Sequence, residues 1–258
     1  MIAAALLMAV GAAASAEAPP ICADRPAKAT GVCTVPAGQF QIETGTLDWT
    51  VTKSGGARTE LLAIGAIVVK YGVSDASDLE LGFVPALRLT VKEAGTRSRA
   101  SGFGDVTLRF KQRLTGTGAG VQVAMIPFVK LPTAGHDLGN GKAEGGLAVP
   151  VSFTLAGPVT MTLGPEIDLL ADTDGSGRHV GLTNLVTLSA TVAPRVTIGG
   201  ELWSSQNFEP SGTIWQTSAD AAIAYAASPR VQLDLGANFG LTRHTPDLEL
   251  YTGASIAF

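Results

Sequence analysis

Apolar residues recur at every second position through most of this chain, and that period restricts it to β-structure. Leu79, Leu81, Phe83, Leu87, Leu89 and Val91 alternate with Glu80, Gly82, Arg88 and Thr90. Val106, Leu108 and Phe110 alternate with Thr107, Arg109, Lys111 and Arg113, and Val231, Leu233 and Leu235 with Gln232 and Asp234. Successive side chains of a strand face opposite sides, so each segment has one apolar and one polar face. Mean hydropathy is +0.28, with 46% hydrophobic and only 16% charged residues. Yet no apolar run of ~18 residues follows the N-terminus, so no transmembrane helix is offered. The hydrophobicity is dispersed, as alternating strands disperse it.

Twelve such segments can be marked, at about residues 38–51, 58–71, 78–91, 103–114, 120–131, 146–156, 159–171, 178–192, 195–207, 213–227, 230–243 and 247–258. Most exceed the ~5–6 residues of globular strands and suit the ~9–11 residues of a tilted membrane strand. The expected fold is all-β: a transmembrane up-and-down antiparallel β-barrel of about twelve strands. Turns after even-numbered strands read as tight, as at Gly72-Val73-Ser74-Asp75 and Ser228-Pro229-Arg230, whereas those after odd-numbered strands read as longer, as at Pro132 to Gly145 and Ala171 to Gly177. Short turns at one end and long loops at the other is the outer-membrane pattern, with the short turns in the periplasm. Pro158, Pro194 and Pro229 open successive hairpins, a weak repeat in which proline stays outside the ladder.

The N-terminus reads as an export signal over residues 1–16. Ile2 to Ala14 is apolar, Ala14-Ser15-Ala16 supplies small residues for cleavage, and no Lys or Arg precedes the run. Residues 17–37 are expected to form a periplasmic N-terminal segment, and 38–258 the barrel in the Gram-negative outer membrane. Cys22 and Cys33, the two cysteines of the chain, are a candidate structural disulfide in the oxidising periplasm.

Lys70-Tyr71-Gly72-Val73-Ser74-Asp75, Leu79-Glu80-Leu81-Gly82, Gly102-Phe103-Gly104-Asp105-Val106-Thr107-Leu108-Arg109-Phe110-Lys111 and Lys130-Leu131-Pro132-Thr133 follow in order. Together they resemble the bacterial outer-membrane transporter family named for the MetA-pathway of phenol degradation. Ala134 stands before Gly135, where that family often places Gly directly. The resemblance implies an outer-membrane channel for small, often aromatic, compounds. The last strand ends in Phe258, sharing a face with Leu248, Leu250 and Ile256. A terminal aromatic of this kind resembles the signal read by the barrel assembly machinery, the expected partner besides lipid and small solutes.

If the apolar face meets lipid, the polar set lines the lumen, because a charge facing lipid costs ~2–4 kcal/mol at mid-membrane. Arg88, Arg109, Lys111 and Arg113 then form a basic wall, with Lys130 beside them. Glu166, Asp168, Glu201, Asp220, Asp234 and Glu249 form an acidic wall, with Glu43 adjoining. Two readings follow: a transverse field across an aqueous pore, or a lumen stitched shut by ion pairs. Trp203, by phase, faces inward as a candidate solute contact. Trp49, Trp215, Tyr71, Tyr225 and Tyr251 lie towards strand ends, where an interfacial aromatic girdle is expected.

Other chemistries find little support. Net charge is -4, which argues against a nucleic-acid partner. No Gly-x-Ser-x-Gly elbow is present, and His136, His179 and His244 lack metal-binding spacing and fall in or beside predicted loops. No catalytic residue, cofactor or metal is expected, with an outer-membrane lipid hydrolase as the rival reading. Asp172-Thr173-Asp174-Gly175 echoes a calcium loop but lacks its closing Glu.

Overall fold

The computed structural model describes residues 21–135 and 137–258, and among these every regular element is a strand. The expected export signal lies outside the described residues. Strands follow in the order β1 (Phe40–Ser54), β2 (Ala57–Ser74), β3 (Ser77–Phe83), β4 (Ala86–Glu93), β5 (Thr96–Gly102), β6 (Val106–Arg113), β7 (Val121–Leu131) and β8 (Glu144–Ala148). Then come β9 (Val151–Ala156), β10 (Val159–Leu163), β11 (Glu166–Ala171), β12 (Arg178–Ala193), β13 (Val196–Asn207), β14 (Ile214–Ser228), β15 (Val231–Gly240) and β16 (Leu248–Ala257). Four walls of the barrel are each broken once, between β3 and β4 at Val84-Pro85, β5 and β6 at Phe103 to Asp105, β8 and β9 at Val149-Pro150, and β10 and β11 at Gly164-Pro165. Three of the breaks hold a proline, which has no amide to give the ladder. Counting each broken pair as one leaves twelve antiparallel walls, and β1 closes the cylinder by pairing both β2 and β16.

The wall is inverted relative to a soluble core. Leu79, Leu81, Leu108, Leu202 and Leu235 expose two-fifths or more of their surface, while Glu80, Lys111, Glu201 and Asp234 between them are buried. Lipid makes that ordering favourable, and a closed barrel leaves no unpaired edge within it. The chain is an outer-membrane β-barrel.

The expected contrast in loop length holds only in part. Gly55-Gly56 and Ala94-Gly95, after odd walls, are tight turns with positive φ at every residue. The connection of residues 114–120, after an even wall, is not tight. Walls β1, β2 and β4–β5 instead run on beyond their neighbours and need little loop.

Along one line the alternation slips in four adjacent walls, the fourth at Phe103 to Asp105 between β5 and β6. Pairing of β1 with β16 jumps from Gly45↔Gly253 to Leu47↔Thr252, and with β2 from Gly45↔Ala66 to Leu47↔Ile64. Thr46 and Gly65 are left out; Gly65 takes φ +68°, which a residue with a Cβ would resist. On the next wall Val84-Pro85 makes the same step. Beyond this line odd and even exchange faces. Directly opposed residues share a face, so Asp48, Ala63 and Leu87 follow Tyr251 inward. Trp49, Leu62 and Arg88 turn outward.

Candidate functional site in the lumen

The described part of the segment expected in the periplasm, residues 21–37, lies inside the barrel as a strap. The Cys22 amide donates to Gln41 Oε1 at 3.0 Å and Gln41 Nε2 returns a bond to the Cys22 carbonyl at 2.7 Å. The amides of Asp24 and Arg25 donate to the Glu43 carboxylate at 3.1 Å. Farther along, the amides of Lys28 and Ala29 donate to Glu201 at 3.2 and 3.1 Å, and that of Val35 to Asp78 at 2.9 Å. A buried strap must place its amides on acceptors, and wall carboxylates supply them. Cys22 and Cys33 form a disulfide, so the strap is a closed loop.

Side-chain charges fasten it on two sides. Asp24 accepts from Lys111 Nζ at 2.8 Å and Lys70 Nζ at 2.5 Å. Burial works to raise the Asp24 carboxyl, but the two ammonium groups outweigh it and hold it well below the usual carboxylate range. Lys70 also contacts Glu43, and Lys111 reaches Glu80 at 3.2 Å. Across the lumen, Arg25 binds Asp234 and Lys28 Nζ binds Asp220 at 2.8 Å. Arg25 also lies 5.7 Å from the centroid of Tyr251, and Lys28 4.8 Å from that of Trp203. Strap anion meets basic wall and strap cations meet acidic wall. The two walls thus hold the strap by its own charges.

Among the described residues, the two larger spaces beside it differ in lining. One of about 330 Å³ is bordered by Glu43, Lys70, Phe83, Asp105 and Arg109. The other, about 320 Å³, is bordered by Arg109, Phe128, Lys130, Glu166 and Trp203. Lys28, Thr30, Thr107 and Arg109 border both. Arg109 retains 38% side-chain exposure, and its ion pair with Glu80 is loose at 3.8 Å.

The expected wall residues are distributed unevenly. Lys111, Glu201, Asp220 and Asp234 are buried and bound to the strap or its anchors. Glu166 borders the second space. Asp168 sits opposite Gly146 and Gly181 on the same wall, and Glu249 accepts from Asn238 at 2.6 Å. Arg109 and Trp203 line open lumen. Arg113 is drawn to the rim, where it donates to the carbonyls of Thr115 and Asp75. Arg88 points away from the lumen, because the slip at Val84-Pro85 reversed its phase. Tyr251, expected in the girdle, is buried inward, whereas Tyr71, Trp215 and Tyr225 are exposed. Asp24, Arg25, Lys28, Lys70 and Glu80 join the expected wall residues as lumen groups. Lys70 and Glu80 stand in the polar phase of their strands and were legible; the strap residues carry no period.

No curated protein matches the chain. The family described as "Putative MetA-pathway of phenol degradation" matches residues 23–258, and the chain belongs to it. Its fold is similar to that of an outer membrane channel from Pseudomonas putida F1, with a TM-score of 0.72 and 16% identity over 90% of this chain and 100% of that one. It is also similar to the NanC porin, with a TM-score of 0.55 and 11% identity over 84% and 98% of the two chains. The translocator domain of the autotransporter NalP from Neisseria meningitidis gives a TM-score of 0.54 and 12% identity over 87% and 90%.

Proposed function

We propose that the chain is a passive channel for small solutes, favouring compact anions with an aromatic body, such as aromatic acids. The observation that carries this reading is Arg109: a cation with 38% side-chain exposure shared by two spaces of about 330 and 320 Å³, with Phe128 and Trp203 beside the second. A guanidinium draws a carboxylate while the rings receive the apolar part. Such a site favours a solute without trapping it, as conduction requires. The family's description, with phenol degradation in it, supports an aromatic solute, and the P. putida protein of similar fold is a channel. No enzymatic step is proposed. Among the described histidines, His179 Nδ1 lies 2.7 Å from Asp172, and His244 Nε2 accepts from Arg243. Neither is bonded to a serine hydroxyl; His136 lies outside the described residues. Phe258, 59% exposed at the barrel end, is proposed as the assembly signal.

The test is solute flux through the refolded mature chain in liposomes, comparing benzoate, benzyl alcohol and a small sugar. Size-limited flux with benzoate favoured, and that preference lost in Arg109→Gln, is the expected result. A second reading, a closed structural barrel, rests on the strap itself. It stands if the intact chain passes no solute while a chain deleted of residues 21–37 does.

A further inference from the structure

Above the line where the alternation slips, the outward face of β1, β2, β4 and β5 carries an unusual charge pattern. Lys53 lies directly opposite Arg58, Arg58 opposite Lys92, and Lys92 opposite Arg97. Four cations thus stand in one row across four adjacent strands. Two positions nearer the membrane on the same face, the row reads Val51, Glu60, Thr90 and Arg99. Two further on it reads Trp49, Leu62, Arg88 and Ser101, and then Leu47, Ile64 and Ala86. Leu47 and Ile64 are 43% and 45% exposed and belong to the lipid-facing belt.

Six cations share this face with one carboxylate, Glu60, which binds Arg58 Nε at 2.6 Å and Lys92 Nζ at 3.2 Å. Asp247 borders the row, accepting from the Lys53 amide at 2.6 Å. Among the described residues, the side chains of Lys53, Arg88, Arg97 and Arg99 have no hydrogen bond or ion pair, and Arg97 and Arg99 are exposed. Like charges directly opposed across strands are destabilising. A row of them is retained at a cost unless an anion outside the chain offsets it.

Position identifies the anion. The face passes from apolar to aromatic to cationic along strands that leave the membrane, and Lys53 stands about 20 Å along its strand from Leu47. It lies at the end of the barrel opposite Phe40 and Ala257, hence on the outer side if the termini are periplasmic. We propose that this face binds the phosphate groups of the phosphorylated glycolipid in the outer leaflet, with Arg88 nearest the acyl boundary and the four-cation row against the sugar core. Arginine-rich forks suit phosphate oxygens. The site is independent of solute passage through the lumen.

The test uses the full mature chain folded in detergent, with EDTA present so that divalent ions cannot bridge. Its binding to deep-rough lipopolysaccharide is compared with binding to the same lipid stripped of phosphate, with inorganic phosphate as competitor. Dephosphorylation, R97Q/R99Q and K53Q/R88Q are each expected to weaken binding by about tenfold or more, while R195Q/R230Q, at the opposite end, leaves it unchanged. Heat-modifiable gel migration confirms that each variant is folded. Equal binding to both lipids, or unaltered binding by both folded face variants, overturns the proposal. Release by millimolar inorganic phosphate alone overturns the lipid as the ligand and leaves a free-phosphate site.

Discussion

Arg25 and Asp234 stand 209 positions apart in the chain, yet the guanidinium donates Nε and Nη2 to the two oxygens of that carboxylate at 3.1 and 2.7 Å. The Asp234 side chain is fully buried, while Arg25 keeps 23% exposure. Removing one partner of a buried pair strands the other charge and costs about 3–5 kcal/mol. Arg25→Ala should therefore lower stability in that range, visible as a lower temperature of heat-modified migration. Arg25→Ala with Asp234→Ala should recover most of the loss. Equal destabilisation by the single and double variants would show that the pair does not fasten the strap.

The disulfide closes the strap over a sequence separation of 11. A loop near that length limits the freedom of the opened chain by about 3 kcal/mol in the chain-entropy account. Cys22→Ser with Cys33→Ser should leave the barrel folded but loosen Asp24, Arg25 and Lys28 from their partners. Single-channel recording should then show a larger and noisier conductance, and the same change should follow reducing agent added to the intact chain. Unchanged current in both cases would mean that the ion pairs alone hold the strap.

Glycine marks where the strap presses on the wall. A Cβ on Gly72 would collide with the carbonyls of Val35 and Pro36, and one on Gly253 with Arg25 and the carbonyl of Thr44. Backbone atoms cannot swing aside as side-chain ends can. Gly72→Val and Gly253→Val should displace the strap and make residues 21–37 sensitive to protease from the periplasmic side. Gly55→Ala, in an open turn with nothing near its Cβ, should not. Its positive φ makes it a control for strain alone.

The barrel was legible because lipid imposes a rule that each strand must obey separately. Leu108 and Arg109 reveal their faces without knowledge of any partner. The strap was not legible, since Asp24, Arg25 and Lys28 obey no period and their positions depend on Lys111, Asp234 and Asp220, far away in sequence. Arg88 failed for a subtler reason. An unbroken alternation through Val84-Pro85 puts it inward, but proline in a strand is the local sign of a break or bulge, and the phase reverses there. Pro150 and Pro165 break their walls without that reversal: Ala148 and Ser152 oppose Ile126 and Gln122 on one face of β7, and Thr162 and Glu166 oppose Thr187 and Thr183 on one face of β12.

Arg88 and Arg109 give the sharpest contrast between the two phase assignments. Carried unbroken through Pro85, the alternation places both in the lumen. The register places Arg109 opposite Glu80 and facing the two spaces, and Arg88 on the outer face beside Leu62. Arg109→Gln should reduce the preference of the pore for anions, read as a shift of reversal potential in a salt gradient towards cation selectivity. Arg88→Gln should leave that potential unchanged, because a charge outside the wall is screened by solvent within about 10 Å. If both variants shift the potential alike, the slip at Thr46, Gly65 and Val84-Pro85 is absent in the membrane and Arg88 faces the pore.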